Sequence, residues 1–214
     1  MSIKKLHSGI VLLIDSEFTC WEGSLASGWS DPDFPAEIIE VGIIAYQPVT
    51  QKRIAHFSSL AKPIVNPELS DYALDLLPIT QDEIDNAPSY TDMIEAIKTW
   101  ILAYADPDSP TVGWGLLDRR FITLHGERCG VSDPFGDRPH IAMDVLAKTA
   151  LGIERSMNIE REFVRDRFGL KDISDRHRAL NDAEDLISFD KALQDWAQQI
   201  KLAQGQSNLG TEPV

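Results

Sequence analysis

Cysteine is scarce in this chain of 214 residues: Cys20 and Cys129 are the only two. That excludes a disulfide framework and fits reduced thiols. No apolar run approaches the ~20 residues that a bilayer-spanning helix needs, so no membrane segment is expected. Low-complexity blocks are also missing, and with 43% hydrophobic and 25% charged residues the chain can bury a core rather than stay disordered. Basic residues fall short, 20 Lys and Arg against 34 Asp and Glu, for a formal net charge of −14. Such a deficit argues against tight, sequence-independent binding to long duplexes, which needs a basic face. A small acidic site that attracts phosphate once cations load remains compatible with it. No glycine fingerprint follows the first strand and no phosphate-loop lysine motif occurs, so a dinucleotide-binding fold is excluded. The start, Met1-Ser2-Ile3-Lys4-Lys5, is basic, but the apolar stretch after it stops at Asp15 without a small-residue cleavage site. No signal peptide is read, and a cytoplasmic location is expected.

What the sequence does contain begins with Ile10-Val11-Leu12-Leu13-Ile14 running into Asp15-Ser16-Glu17. The apolar run predicts a buried strand over 9–17. A second strand is predicted over 36–46, closed by Gln47-Pro48, and a third over 53–61, ended by Pro63. Between the first two lies Glu22 to Pro35, rich in Gly, Ser, Asp and Pro, which reads as a long and functional loop. From residue 66 the pattern turns helical. Short helices are expected over 71–77 and after the capping box Thr80-Gln81-Asp82-Glu83. Met93, Ile94, Ile97, Trp100 and Ile101 recur at helical spacing over 90–105. A short strand over 111–114 precedes a helix over 116–128. Helices over 141–151, after a brief strand, and over 159–168 follow, and the last spans 181–202. One domain is expected over 9–203, with 1–8 as an extension and 204–214 as a mobile polar tail. Three antiparallel strands followed by strand–helix alternation predict a mixed α/β sheet covered by helices.

Strand alternation puts Asp15 and Glu17 on one face. Two carboxylates that close repel unless a cation sits between them, and hard divalent ions take such oxygen ligands. The competing reading is that the strand has ended and both are solvated. Further carboxylates must then come from elsewhere. Asp118 opens a helix just after Val112-Gly113-Trp114-Gly115, where an acidic residue also suits the helix dipole. His177-Arg178-Ala179-Leu180-Asn181-Asp182 sets a histidine five residues before an aspartate at a helix entry, after a polar loop. An exposed histidine beside an unrelated aspartate is the plain alternative. His140, His125, His56 and His7 show no ligand spacing and are read as structural. Arg119 and Arg120 are placed either on phosphate or in solvent, and Trp114 in the core.

The order Asp-x-Glu on a first strand, a mid-chain Asp, then His-x4-Asp resembles the DEDD 3′→5′ exonucleases of the histidine subclass. The nearest likeness is the Eri-type branch, through Ile14-Asp15-Ser16-Glu17-Phe18-Thr19-Cys20-Trp21-Glu22-Gly23 and Glu37-Ile38-Ile39-Glu40. Lys62-Pro63-Ile64-Val65-Asn66-Pro67 and Ile79-Thr80-Gln81 continue it. The resemblance implies a ribonuclease H-like α/β fold, a mixed five-stranded sheet whose first three strands are antiparallel, flanked by helices. It implies hydrolysis of phosphodiester bonds at single-stranded 3′ ends, RNA favoured over DNA, with release of nucleoside 5′-monophosphates. Two divalent ions, Mg²⁺ or Mn²⁺, are implied as cofactors, with Asp15 bridging both, Glu17 and Asp182 completing one site, and Asp118 on the second. Ions about 4 Å apart stabilise attacking and leaving oxygens, and His177 would take the proton of the attacking water. Tyr90 stands where the family tends to place a base-stacking aromatic, the alternative being an exposed aromatic at a helix start; Phe18 and Trp21 are further candidate substrate contacts, Trp21 by stacking on a base or else as a core residue. The expected partners are RNA or DNA 3′ ends, short oligonucleotides among them, with no membrane.

Three positions depart from the pattern: Leu77-Pro78 replaces Thr-Gly, Leu117 stands where Trp often precedes the Asp, and Phe18 replaces a small residue. All three touch substrate handling rather than metal binding. A catalytically idle nucleic-acid-binding or scaffold protein on the same fold is the alternative, motivated by the acidic charge and by Leu77-Pro78.

Overall fold

The structure, a computed structural model, describes residues 9–171 and 176–207. The expected extension over 1–8, the polar residues 172–175 and the end of the chain over 208–214 lie outside the described residues.

Five strands form one sheet in the order β3-β2-β1-β4-β5. The central strand, β1 (Val11–Phe18), pairs antiparallel with β2 (Ile38–Gln47), which pairs antiparallel with β3 (Lys52–Leu60). The loop between β1 and β2 contains one helical turn, α1 (Ser24–Ser27). Helices α2 (Asp71–Leu76), α3 (Gln81–Asp85) and α4 (Tyr90–Tyr104) follow, and the chain returns as β4 (Thr111–Gly113), parallel to β1. After α5 (Leu117–Cys129) comes β5 (His140–Ala142), parallel to β4, then α6 (Met143–Leu151), α7 (Arg161–Phe168) and α8 (Ala179–Ser207). The mixed sheet expected from the sequence is the one observed. Parallel strands need a long crossover, which α4 and α5 supply.

Caps set several of these boundaries. Ser70 and Ser89 accept backbone N–H groups at the starts of α2 and α4, and Thr80 with Glu83 closes a full capping box on α3. The last helix runs on to Ser207 instead of ending at Leu202, so 204–207 are helix and not tail.

Because side chains alternate along β1, its two faces serve two cores. Leu12 and Ile14 join Val41 and Ile43 of β2 against Met93, Ile94 and Ile97 of α4 and Phe121 and Ile122 of α5. Val11 and Leu13 join Ile44 and Tyr46 against Met143 of α6, Val164 of α7, and Leu186 and Phe189 of α8. A third cluster packs Ile39 against Leu69, Ala73, Leu77, Ile79 and Ile84 around α2 and α3. Leu77, one of the departures noted above, is therefore a core residue. Among the described residues no helix is long and apolar enough to cross a membrane.

Candidate active site

The parity that sends Leu13 toward α8 sends Asp15 and Glu17 the same way, at the end of the central strand. Ser16, on the other parity, is bound by α5: its backbone N–H and its hydroxyl donate to Asp118 Oδ1 at 3.0 and 2.9 Å. Asp118 lies in the first turn of α5, just past β4, so β1 and β4 running side by side bring it to Asp15. Asp182 arrives on the first turn of α8.

Two residues of β2 seat that helix. Gly42 stands opposite Asp15 in the register. A Cβ on Gly42 would lie 2.3 Å from the Ala179 carbonyl carbon and 2.3 Å from the Leu180 nitrogen, so only glycine permits the approach. Glu40, opposite Glu17 and 1% exposed, accepts from Arg178 Nε at 3.0 Å and Nη2 at 2.8 Å, and from the Ala179 N–H at 3.0 Å. This forked, charge-assisted contact fixes where α8 begins. One residue earlier, His177 takes φ +62°, unusual for a residue with a side chain, and its N–H donates to Asp182 at 3.2 Å. Glu17, His177 and Asp182 each offer one ligand atom, all within 4.8 Å of one another.

The electrostatics are those of crowded like charges. Burial, then Asp118 and Asp182, push the Asp15 carboxyl well above the usual carboxylate range, against the pull of Arg161. Glu17 is likewise raised, by burial first and then by Asp15, Asp182, Glu40 and Asp118. Asp118 is raised by burial, partly offset by Arg161 and Ser16. Arg161, at the first position of α7, pairs with Asp15 through Nη2 and lies 3.7 Å from Asp182 Oδ1. Burial disfavours its charge, yet Asp15 and Asp182 hold it firmly protonated. Among the described residues Arg161 is the cation paired with Asp15 and Asp182, against four clustered carboxyl groups, and every carboxylate donor is a hard oxygen. Such a set fits hard divalent cations.

All five residues singled out for chemistry, Asp15, Glu17, Asp118, His177 and Asp182, thus meet at one end of the sheet. The expected substrate contacts fare differently. Tyr90 is a correction: it is 1% exposed, its hydroxyl donates to the Ile122 carbonyl at 2.6 Å, and its ring stacks on His125 at 3.8 Å. It has no free face for a base. Tyr90→Phe should lower stability by about 1 kcal/mol, the worth of one buried hydrogen bond, and leave the Michaelis constant for an oligonucleotide unchanged; a raised constant would restore the stacking role. Phe18 also departs from expectation. On the parity opposite to Glu17, it packs edge-on against Trp29 at 5.0 Å and Phe121 at 4.8 Å. Trp21 is half-buried in the loop, edge-on to Phe34 at 4.9 Å. Arg119 is tied to Asp133 at 2.8 Å and to Thr111 at 3.2 Å, whereas Arg120 is exposed with its guanidinium 5.9 Å from the centre of the Phe121 ring. Trp114 packs on Phe189.

Sequence reasoning missed Arg161, Glu40, Arg178 and Gly42. For Arg161 a signal existed, because a cation at a helix start opposes the dipole unless its charge is used elsewhere.

Known proteins resemble this chain in sequence and in fold. The Schizosaccharomyces pombe protein named 3′-5′ exonuclease eri1 is 33% identical over 102 residues, covering 48% of this chain and 32% of that protein. Human 3′-5′ exoribonuclease 1 is 31% identical over 91 residues, covering 42% of this chain and 24% of that protein. The match thus spans a third or less of the length of these relatives. Among solved structures, a full-length 3′-exonuclease superposes with a TM-score of 0.77 at 22% identity, covering 88% of this chain and 83% of that one. The nuclease domain of 3′hExo, a DEDDh family member bound to rAMP, gives a TM-score of 0.69 at 21% identity, covering 87% and 92%. The family model described as Exonuclease, RNase_T, matches residues 12–189, and this chain therefore belongs to that exonuclease family.

Proposed function

We propose that this chain is a divalent-metal-dependent 3′→5′ exonuclease that trims single-stranded ends, RNA in preference to DNA, and releases nucleoside 5′-monophosphates. The observation that carries the reading is the convergence of Asp15, Glu17, Asp118 and Asp182 with His177 at the end of the central strand. The names of the relatives, exoribonuclease among them, support RNA as the substrate.

Asp15, Glu17, Asp118 and Asp182 would hold the cofactor, Mg²⁺ or Mn²⁺. When bound, such ions polarise the phosphoryl group and offset the charge that builds on its oxygens. The chain's own groups do the rest. His177, exposed beside Glu17 and Asp182, takes the proton of the attacking water. Glu40 and Arg178 are positioning residues that hold this histidine and Asp182 over β1. Trp21 on the loop offers a face for a base. The complete carboxylate set favours turnover over idle binding, and the net charge of −14 favours short single-stranded ends over long duplexes.

The test is a degradation assay on matched, 5′-labelled RNA and DNA oligonucleotides of graded length, with Mn²⁺, Mg²⁺ or EDTA. Stepwise shortening from the 3′ end with a metal, none in EDTA, and faster loss of RNA are expected. His177→Ala should lower kcat by about 10²- to 10⁴-fold, the usual worth of a general base. Full activity in EDTA, or an unimpaired His177→Ala enzyme, would overturn the reading.

A further inference from the structure

We propose that Arg161 is the site's resident counter-cation, and that metal uptake is an exchange in which the ion displaces its guanidinium from Asp15 and Asp182. The inference rests on the metal-dependent reading above. Its starting point is geometric. Arg161, the first residue of α7, engages two carboxylates contributed by different elements, Asp15 of β1 and Asp182 of α8. Those are two of the oxygen donors that a divalent ion would need. A guanidinium and a divalent ion on the same pair of carboxylates would be like charges in close contact, in a partly desolvated site where such repulsion is strong. Both cannot hold Asp15 and Asp182 in this way at once.

The contact is also built to be given up. The guanidinium meets Asp182 only at 3.7 Å, longer than a hydrogen bond, so one arm of the fork is already loose. The side chain is 20% exposed, which leaves a way out toward solvent. Its Cζ lies 5.7 Å from the centre of the Trp114 ring, a cation–π contact that can retain the charge at the rim after the carboxylates are released. In the metal-free protein, Arg161 offsets part of the repulsion among Asp15, Asp118 and Asp182. It therefore stabilises the state that metal must convert and lowers the apparent affinity for the ion.

The experiment compares wild type, Arg161→Gln and Arg161→Lys at pH 8, by calorimetric titration with Mn²⁺ and by thermal melting in EDTA and in saturating Mn²⁺. Arg161→Gln should bind Mn²⁺ about tenfold more tightly, the effect of losing one competing charge-assisted contact. Its melting temperature should drop in EDTA and recover in Mn²⁺, so the metal-induced rise exceeds that of wild type. Arg161→Lys keeps a charge but not the fork, and should bind Mn²⁺ more tightly than wild type by a smaller factor. Should Arg161→Gln not fold without metal, Arg161→Lys decides the question alone. Unchanged or weakened Mn²⁺ binding in the variants, with normal binding by wild type, overturns the exchange and leaves the proposed function standing. Failure of wild type to take up Mn²⁺ overturns both.

Discussion

Glu17→Gln is expected to stop hydrolysis and, at the same time, to make the metal-free protein more stable. Removing one ligand from a metal-centred site forfeits several kcal/mol of transition-state stabilisation, so a rate loss of about 10³-fold or more is expected. The stability gain has a separate origin. Glu17 is pushed above its ordinary value of 4.5 by burial and then by the charges of Asp15, Asp182, Glu40 and Asp118. Above the unfolded pKa, the folded chain keeps a proton that the unfolded chain releases. Stability from this group is therefore lost as pH rises from about 4.5 through the raised folded value. In EDTA, wild type should melt lower at pH 8 than at pH 5 through this contribution. Glu17→Gln should flatten that slope and melt higher than wild type at pH 8. A variant that melts below wild type at pH 8 would show that Glu17 is not under electrostatic strain.

Gly42→Ala is expected to damage both fold and activity although Gly42 touches no reacting group. The added methyl would sit 2.3 Å from the Ala179 carbon and the Leu180 nitrogen, and 2.4 Å from the Ala179 oxygen. All three are backbone atoms, so no rotamer change relieves the clash. Either α8 lifts from the sheet or β2, buried along its length, distorts. Overpacking of this kind costs about 1–3 kcal/mol and more where backbone must move. A shift of about 1 Å at the start of α8 displaces Asp182 and His177 together, and misplacement of that size costs about 10²-fold in rate. Gly115→Ala is the control, since a Cβ there meets nothing within 4 Å. It should melt close to wild type. Equal melting temperatures and rates for Gly42→Ala and wild type would mean that α8 is not seated on this glycine.

What could be read in advance divides along physical lines. The core of β1 and the helical stripe through Met93, Ile94, Ile97 and Ile101 follow from local periodicity, and the structure has them as expected. Tyr90 turns inward on that same stripe, although the resemblance placed it on a base and its position at a helix start suggested exposure. The carboxylates were legible by residue type and order, because a buried strand has little other use for Asp15 and Glu17. Glu40 and Gly42 were not, since their roles exist only through the β1–β2 register and the arrival of a helix from the far end of the chain. Arg161 offered only its place at a helix start, since its contact with Asp15 spans 146 positions in sequence.

That α8 reaches the sheet from so far along the chain makes the enzyme divisible. Residues up to 171 hold Asp15, Glu17 and Asp118, while His177 and Asp182 both lie beyond. Neither half alone would carry the full residue set, so under the proposed function strand cleavage would report that the two had met. The seat formed by Gly42 and Glu40 is thus the joint at which this protein could be cut into a two-part sensor.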